Sequence, residues 1–510
     1  MTHFFSTLVF LILASSAMAL DVVEIPNASS PLLSIRLMFK VGSRHDPVDK
    51  FGLSYLTASL AVQASQKYSN QQLEERLYPM AVSIDCSVDK EVTIFTVTGH
   101  KDHSEQFYGV LRDVILHPRF SEDDFQRRKK LSLSYLNDLR TNDDEDLSKI
   151  VLEWGLFGAS HPYAHTTVGN EPALQKITLD DVKNFYAQNF TKDRLIIGLA
   201  GHYDAKFKNQ VLADMQTLPS TKLAEAAPLP IPRLPNGIEV LLVDKPGTFG
   251  SAIFMGFPWS VDRRSDDFAA LLIANSYFGE HRMPNHGQLF KRMRQIRGLN
   301  YGDYSYLEWF PEAGFRLQQE AGTPRQQNYF SIWIRPVQVA KQFQQNPDLK
   351  DTTEGNTLFA IRLALFELKK LVNDGIKAED FERLRGFVKG NLQRYVETQS
   401  ARLGFRMDGT LYGRKDYVLE MTTLMDKLTV ADVNRAIKKY WQFENFYVAI
   451  VSDSSEIPSL VASLKSNKPT PIIYQPAIRK GLGKDILEED AVIAALPLRV
   501  SKVDIRRDFL

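Results

Sequence analysis

The sequence has little cysteine, little net charge and no long hydrophobic run in its main part. Cys86 is the only cysteine among 510 residues, which excludes an intrachain disulfide and a cysteine-based zinc cluster. The 62 Lys and Arg residues nearly balance the 61 Asp and Glu residues. This balance gives no support to nucleic-acid binding, which needs clustered basic charge. Beyond the N-terminus no segment approaches about 18 uninterrupted apolar residues, so we expect a soluble mature protein without a membrane-spanning segment.

The N-terminus has the pattern of an export signal. Residues 4–14 are almost wholly apolar and lead to Ala17-Met18-Ala19, an A-x-A cleavage pattern. We predict a signal peptide over residues 1–19, with the mature chain beginning near Leu20 or Asp21. An uncleaved N-terminal anchor is the alternative, because no Lys or Arg precedes the apolar run. Since an exported protein with a single cysteine fits a bacterial periplasm, we expect a periplasmic location.

An internal duplication is visible in the second part of each half. Residues 176–200 and 427–451 both begin with Thr-x-x-Asp, a helix start of the capping-box type. In each copy an amphipathic helix, a short polar turn and an apolar strand follow. Thr178 corresponds to Thr429 at an offset of 251 (429 − 178 = 251). The shared register indicates two copies of one structural unit.

The two halves also begin alike. A strand-like segment at residues 33–42 leads through a polar turn into a helical pattern at 52–66. In the second half a strand-like segment at 252–257 leads into a helical pattern near 267–277. We therefore predict an α+β fold with two homologous domains, each an antiparallel β-sheet with helices packed on one face.

Composition suggests the domain limits. Residues 223–235 are rich in Pro and Ala, which predicts an extended linker. The first domain then covers residues 21–222 and the second covers residues 236–465. Residues 466–510 begin with several prolines and continue with mixed charge, and we expect this C-terminal tail to wrap the surface without forming a third core.

The sequence has no motif of another enzyme class. It contains no Gly-x-Ser-x-Gly elbow, no phosphate-binding loop and no obvious metal cluster. We interpret the following histidines, which have possible metal-binding neighbours, as surface or loop residues: His100 and His103 beside Asp102, His281 with Tyr277 and Glu280, and His286.

Two local motifs resemble those of a known family. His161-Pro162-Tyr163, followed by Gly169, resembles a His-Pro-Tyr loop in the first half of pitrilysin/insulinase zinc peptidases. Residues 289–301, LFKRMRQIRGLNY, resemble the second-half signature of that family. With the duplication, the resemblance covers nearly all of residues 21–465. It implies two halves that close, often in pairs of subunits, around a chamber that holds a peptide.

The resemblance also shows what this chain has lost. The family's His-x-x-Glu-His zinc motif follows a Gly-Leu pair, and here its two histidine positions carry Tyr55 and Ser59 while its glutamate position carries Ala58. The third ligand of the family, a glutamate on a later helix, has no counterpart in residues 130–138. A phenol and a hydroxyl are poor zinc ligands, and the base that activates the zinc-bound water is missing. We therefore expect no metal or other cofactor in this chain and no hydrolysis by the chain alone.

Arg294 and Tyr301 are the site residues that the resemblance implies are retained. In the family such a pair reaches the bound peptide near the zinc, where a phenol donates to an oxyanion and a guanidinium holds a carbonyl. The alternative is that both residues have only structural roles, with Arg294 solvated on a helix and Tyr301 packed on a strand.

The leading hypothesis is a non-catalytic, substrate-binding subunit of a heterodimeric zinc metallopeptidase. Its expected partners are a homologous subunit that carries the zinc motif and zinc, and peptides or unfolded polypeptide. In this hypothesis Arg294 and Tyr301 act in the partner's active site. The alternative is a catalytically dead binding or assembly protein with the peptidase fold and no peptidase partner.

Overall fold

A computed structural model describes residues 20–221, 228–279, 287–309 and 318–507. The predicted signal peptide, most of the first half of the linker, and the loop residues Glu280, His281 and His286 lie outside these ranges. None of the helices within them is long and apolar enough to cross a membrane.

The first domain combines a five-stranded sheet with helices on its core side. Its strands and helices are, in chain order, β1 (Asp21–Pro26), β2 (Leu32–Phe39), α1 (Leu53–Ala61), α2 (Asn70–Leu77), β3 (Ile84–Val88), β4 (Thr93–His100), α3 (Ser104–Leu116), α4 (Glu122–Asn142), α5 (Asp144–Phe157), α6 (Glu171–Lys176), α7 (Leu179–Asn189), β5 (Leu195–Gly201) and α8 (Ala205–Met215). The strand order is β1-β5-β2-β4-β3, which leaves β3 at one edge of the sheet.

The second domain has a six-stranded sheet over the part of the chain that the structure describes. Its elements are β6 (Ile238–Asp244), β7 (Gly250–Trp259), α9 (Asp267–Gly279), a π-helical segment (Phe290–Gln295), β8 (Asp303–Tyr306), β9 (Asn328–Gln338), α10 (Ala340–Phe343), α11 (Thr357–Asp374), α12 (Ala378–Arg394), α13 (Gln399–Tyr412), α14 (Tyr417–Lys427), α15 (Val430–Tyr440), β10 (Phe446–Ser452), α16 (Ile457–Ser466), α17 (Pro476–Lys480), α18 (Lys484–Ala494) and β11 (Val500–Arg506).

The two sheets repeat one topology, and the predicted α+β fold of two homologous domains is confirmed. The order β11-β6-β10-β7-β9-β8 matches the first sheet strand for strand once β11 is set aside. Both sheets are mixed, because β1 pairs in parallel with β5 and β6 pairs in parallel with β10, whereas the other pairs of the common core are antiparallel.

The duplicated helix starts form as the sequence predicts. The backbone N–H of Thr178 donates to Asp181, and the backbone N–H of Asp181 donates to the Thr178 hydroxyl. Thr429 and Asp432 form the same reciprocal pair. Each pair satisfies two backbone groups that a helix start leaves open. The helices α7 and α15 that follow are both 11 residues long.

Each sheet is also covered by one helix from the other half. Leu147, Val151 and Leu152 of α5 pack with Phe254 and other residues of the second sheet. In return, Leu403 and Met407 of α13 pack on the outer face of the first sheet. The prediction of helices on one face therefore holds for each domain's own helices, and the exchange of α5 and α13 buries the other face. Buried apolar surface on both faces makes the two halves one cohesive body.

The C-terminal residues are part of the second domain, which corrects the expectation of a surface tail. Strand β11 pairs in parallel with β6 and extends the sheet by one strand. Ile493 and Leu498 belong to the core of this domain. The buried guanidinium of Arg297 donates to Glu489 (2.8 Å) and Asp490 (2.7 Å) on α18.

Candidate functional site

A groove of about 570 Å³ lies beside helix α1, helix α4 and the edge strand β3. Tyr55 and Ser59 line it one helical turn apart, at the two positions where the family resemblance implies zinc-binding histidines. Ala58, at the glutamate position, is fully buried in the domain core. The fold therefore preserves the location of the family's zinc motif, but the side chains at these positions no longer have the chemistry of zinc ligands.

The first turn of α1 is fixed by a buried carboxyl group. Asp46 accepts hydrogen bonds from the backbone N–H groups of Gly52 (2.7 Å) and Ser54 (2.8 Å). Burial raises the pKa of Asp46 to about 7, although these two bonds oppose the rise. The carboxyl group thus satisfies backbone donors that would otherwise be open at the start of the helix.

Two glycines allow the loop after the His-Pro-Tyr motif to pack against this turn. Gly52 has φ +97°, and a Cβ atom there would lie 2.2 Å from the carbonyl oxygen of Val168. Gly169 has φ +93°, and its Cβ would lie 2.1 Å from the carbonyl oxygen of Phe51. Both the left-handed backbone and the close approach require glycine, so these two residues set where α1 begins.

The residues at the zinc-motif positions do not fit a zinc ion, and the carboxylates and the thiol that also line the groove form no group that could hold a metal ion within the described residues. Ser59 donates its hydroxyl to the carbonyl oxygen of Leu56 in the helix (3.1 Å), and Tyr55 offers only a phenol. Arg128 from α4 lines the same groove and brings a positive charge to it. Zinc sites in proteins are built from imidazole, thiolate or carboxylate ligands, and a guanidinium repels a divalent cation. We therefore derive no zinc chemistry from this chain's own groove.

Arg128 is the residue of the groove that sequence analysis missed. The segment expected to carry a third zinc ligand, residues 130–138, lies on α4, and its Tyr135 lines a neighbouring cavity. Arg128 precedes Tyr135 by seven residues (135 − 128 = 7), or about two helical turns. This spacing, which places both on one face of the helix, is the signal that could have identified Arg128.

The His-Pro-Tyr loop joins the two halves. His161 is buried, and its Nε2 atom lies 2.8 Å from Gln327 Oε1 and 3.1 Å from the Pro230 carbonyl oxygen. Burial lowers the pKa of His161. Tyr163 donates its hydroxyl to Glu91 and accepts from the backbone N–H of Gln326 (3.2 Å). These contacts have a structural role, since both side chains are buried against protein groups.

A second cavity, of about 340 Å³, lies between the two halves. Val88 of β3 lines both it and the groove, so the two are adjacent. Three charged side chains that line the cavity form ion pairs. Buried Arg325 donates to both carboxylate oxygens of Asp89 (2.9 and 3.0 Å) and to Glu153 (3.4 Å). Burial alone would raise the pKa of Glu153, but the charge of Arg325 reverses the effect and lowers it. This cluster binds the second half to the first.

Arg294 and Tyr301 contact each other on the second domain. The guanidinium carbon of Arg294 lies 4.2 Å from the centroid of the Tyr301 ring, a cation–π contact. Arg335 lies 5.3 Å from the same centroid. Tyr301 remains 64% exposed. Neither Arg294 nor Tyr301 lines the groove of Tyr55 and Ser59, so the structure brings the pair together but separates it from the chain's own degenerate zinc positions.

A buried carboxyl group supports the turn that carries Tyr301. Asp303 is fully buried and accepts a hydrogen bond from the Asn300 side chain (2.5 Å). Burial raises the pKa of Asp303 to about 8, against the opposing effects of Asn300 and of the Arg294 charge. The buried carboxyl group therefore holds its proton to a higher pH than an ordinary aspartate does.

The surface histidines bind neighbouring residues. His100 Nδ1 lies 3.3 Å from the backbone N–H of Asp102, and His103 Nδ1 lies 3.0 Å from Gln106 Oε1. No group of three or more His, Cys, Asp or Glu side chains that could hold a metal ion occurs within residues 20–221, 228–279, 287–309 and 318–507.

Known proteins are similar to this chain in sequence and in fold. An uncharacterized zinc protease, YmxG, from Bacillus subtilis is 21% identical over 434 residues, 85% of this chain and 96% of that protein. A protein named non-peptidase homolog YmxG from Helicobacter pylori is 22% identical over 440 residues, 84% of this chain and 91% of that protein. The crystal structure of a peptidase M16 inactive domain from Pseudomonas fluorescens superposes with a TM-score of 0.70 at 19% identity, covering 85% of this chain and 95% of that one.

Family profiles match both halves. The profile "Insulinase (Peptidase family M16)" matches residues 22–156, and the profile "Peptidase M16 inactive domain" matches residues 176–386. The predicted family is thereby confirmed. The chain belongs to the insulinase family, peptidase family M16, and its zinc-motif positions carry none of the family's ligands.

Proposed function

We propose that this chain is the non-catalytic, substrate-binding subunit of a heterodimeric zinc metallopeptidase. The observation that carries the proposal is the separation of two features. The groove of Tyr55 and Ser59 has lost its zinc ligands, whereas the exposed Arg294–Tyr301 pair of the second-half signature is intact. A pair that does not line its own chain's groove is suited to act in the groove of a homologous subunit.

Strand β3 supports the binding of an extended peptide. In the first sheet β3 pairs with β4 on one side and is the last strand on the other. A peptide can add to such an edge through main-chain hydrogen bonds, while pockets beside the strand select its side chains. The groove and the inter-domain cavity both border β3 and would serve as these pockets.

Arg294 and Tyr301 would act on the scissile peptide bond held by the partner. The Tyr301 phenol would donate to the oxyanion that forms as water attacks the carbonyl, and Arg294 would hold a neighbouring carbonyl and orient the ring. The cation–π contact holds the two side chains in position before the peptide binds, so binding costs little side-chain conformational entropy. The zinc, its bound water and the base would all belong to the partner subunit.

The location that we propose is the bacterial periplasm. Residues 1–19 support it through their apolar run and A-x-A pattern, and the single cysteine is compatible with an oxidising compartment. N-terminal sequencing of the protein recovered from the periplasmic fraction tests this. A chain that begins near Leu20 or Asp21 agrees with the proposal, whereas a full-length chain in the cytoplasm contradicts it.

Pairing is tested by mixing this chain with a homologue that carries His-x-x-Glu-His and is encoded nearby. We expect a one-to-one complex in light scattering. We expect the zinc content of this complex to equal that of the homologue it contains. Two separate species at micromolar concentrations would overturn the pairing. A stable complex that leaves peptide cleavage unchanged would instead favour the binding or assembly protein that was the alternative.

A further inference from the structure

The strongest unassigned feature is the positive charge beside the degenerate zinc positions. Four basic residues, 127–130, follow one another on α4, and the two that flank Arg128 have partners. Arg127 pairs with Asp124 (2.7 Å), and Lys129 donates to the carbonyl oxygens of Gln175 (2.9 Å) and Ile177 (3.0 Å). Arg128, the one that lines the groove, forms no ion pair with any residue that the structure describes.

One polar atom of the half-buried Arg128 side chain lacks a hydrogen-bond partner within the described residues. Its Nε atom is buried and has no hydrogen-bond partner within the described ranges. Glu74 and Asp85 also line the groove, but both are exposed and lie beyond ion-pair distance of Arg128. A buried donor atom is unfavourable without a partner, and a guanidinium pairs best with a carboxylate, to which it can donate two parallel hydrogen bonds.

The strand register determines which side chains of a bound peptide would meet this charge. Along β3, Ile84, Cys86 and Val88 pack towards the helical core, while Asp85 and Ser87 are exposed. A strand added at the edge continues this alternation, with directly opposite Cβ atoms about 4.5–5.5 Å apart. Every second side chain of the peptide therefore lies on the helix side, next to Tyr55, Ser59 and Arg128.

We propose that the groove binds an acidic side chain, Asp or Glu, of an extended peptide paired with β3, and that Arg128 is its specificity-determining residue. The proposal rests on the proposed function, because it names the substrate class of the same edge strand. The Tyr55 and Ser59 hydroxyls add hydrogen-bonding groups beside the guanidinium. Where an active relative would hold a zinc ion, this chain would hold a peptide carboxylate.

The test uses three N-acetylated decapeptides with fluorescein on a side chain, of which the first two are C-amidated. One has Glu at every second position, the second has Gln at those positions, and the third is the Gln peptide with a free C-terminal carboxylate. Fluorescence anisotropy gives Kd for the mature chain and for Arg128→Met, Arg128→Lys and Lys130→Gln. Lys130→Gln is the matched control, since it removes one positive charge from an exposed position of the same helix.

We expect the Glu peptide to bind the mature chain roughly 10- to 100-fold more tightly than the Gln peptide, in line with a hydrogen-bonded charge pair. Arg128→Met should abolish this ratio, Arg128→Lys should retain part of it, and Lys130→Gln should leave it unchanged. The lysine variant keeps the test decisive if the methionine variant does not fold.

Three results would overturn the proposal. Equal affinity for the Glu and Gln peptides would remove the acidic preference but leave edge-strand binding, and so the proposed function, intact. A preference only for the free C-terminal carboxylate would show that the site takes a chain terminus. No binding of any peptide would contradict both the acidic preference and the substrate-binding role.

Discussion

The guanidinium of Arg294 lies over the ring of exposed Tyr301, 4.2 Å from its centroid. Substitution of either residue should leave the fold intact, because neither side chain belongs to a hydrophobic core. In a complex with the zinc-bearing homologue, Tyr301→Phe should lower kcat by about 100- to 1,000-fold, the range for loss of one oxyanion donor. Arg294→Ala should also lower kcat, because it removes the group that orients the Tyr301 ring.

The control for this comparison is Arg385→Ala, which removes a positive charge from the surface ion pair with Glu382 on α12. Its rate in the complex should equal that of the unmodified chain. If Arg294→Ala and Tyr301→Phe were equally without effect, the pair would have only a structural role.

Arg325 holds the two halves together, and its loss should destabilise the whole molecule. Arg325→Met leaves Asp89 and Glu153 as buried carboxylates without their cation, which typically lowers the free energy of unfolding by about 3–5 kcal/mol. Chemical denaturation followed by tryptophan fluorescence measures this, since Trp309 lies 4.2 Å from the Arg325 guanidinium. Arg385→Met, at an exposed pair, should change stability by less than about 1 kcal/mol. Similar losses for both variants would contradict the role of Arg325.

Asp303 should make stability depend on pH. Its folded pKa is raised to about 8 from an ordinary 3.8, so between these values the folded state holds a proton that the unfolded state has lost. The free energy of unfolding therefore falls as pH rises through this window, by up to about 1.4 kcal/mol per pH unit.

Asp303→Asn removes the titration but keeps an oxygen that accepts from Asn300. Denaturation curves at pH 5.5, 6.5 and 7.5 should show the unmodified chain losing stability relative to Asp303→Asn at each step. The contributions of other buried carboxyl groups cancel in this difference. Parallel pH profiles for the two proteins would show that Asp303 does not titrate in this range.

Gly52 should not tolerate a side chain. Gly52→Ala forces a left-handed backbone on alanine, at about 1–3 kcal/mol, and places Cβ 2.2 Å from the Val168 carbonyl oxygen. Gly386→Ala is the matched control: it lies in the middle of α12, where a Cβ meets no atom within 4 Å, and should stabilise the protein by up to about 1 kcal/mol. Thermal unfolding of both variants measures the contrast, and equal melting temperatures would refute it.

Much of the fold follows from local sequence patterns. The capping boxes at Thr178 and Thr429 and the register of the strands after them are set by neighbouring residues, so the duplication could be recognised. The helix predicted at residues 52–66 ends at Ala61, because tertiary packing, which periodicity does not report, sets its end. Arg294 and Tyr301 are seven residues apart (301 − 294 = 7), and the family signature sufficed to propose them as a pair.

Contacts between distant segments could not be predicted in this way. The exchange of α5 and α13, and the addition of β11 beside β6, depend on which apolar faces remain uncovered after each half has folded. Arg325 and Asp89 are 236 residues apart, and neither has a local pattern that indicates the other. The position of Arg128 beside the groove likewise depends on how α4 packs against the rest of the first domain.

The central claim is that this chain completes the active site of a zinc-bearing homologue, and cleavage of a quenched fluorescent peptide tests it most directly. The assay compares this chain, the homologue and their equimolar mixture, with zinc measured in each. We predict no activity and no stoichiometric zinc in the lone chain, and a mixture at least roughly tenfold faster than the homologue alone. A mixture no faster than the homologue, or stoichiometric zinc and cleavage in the lone chain, would contradict the claim.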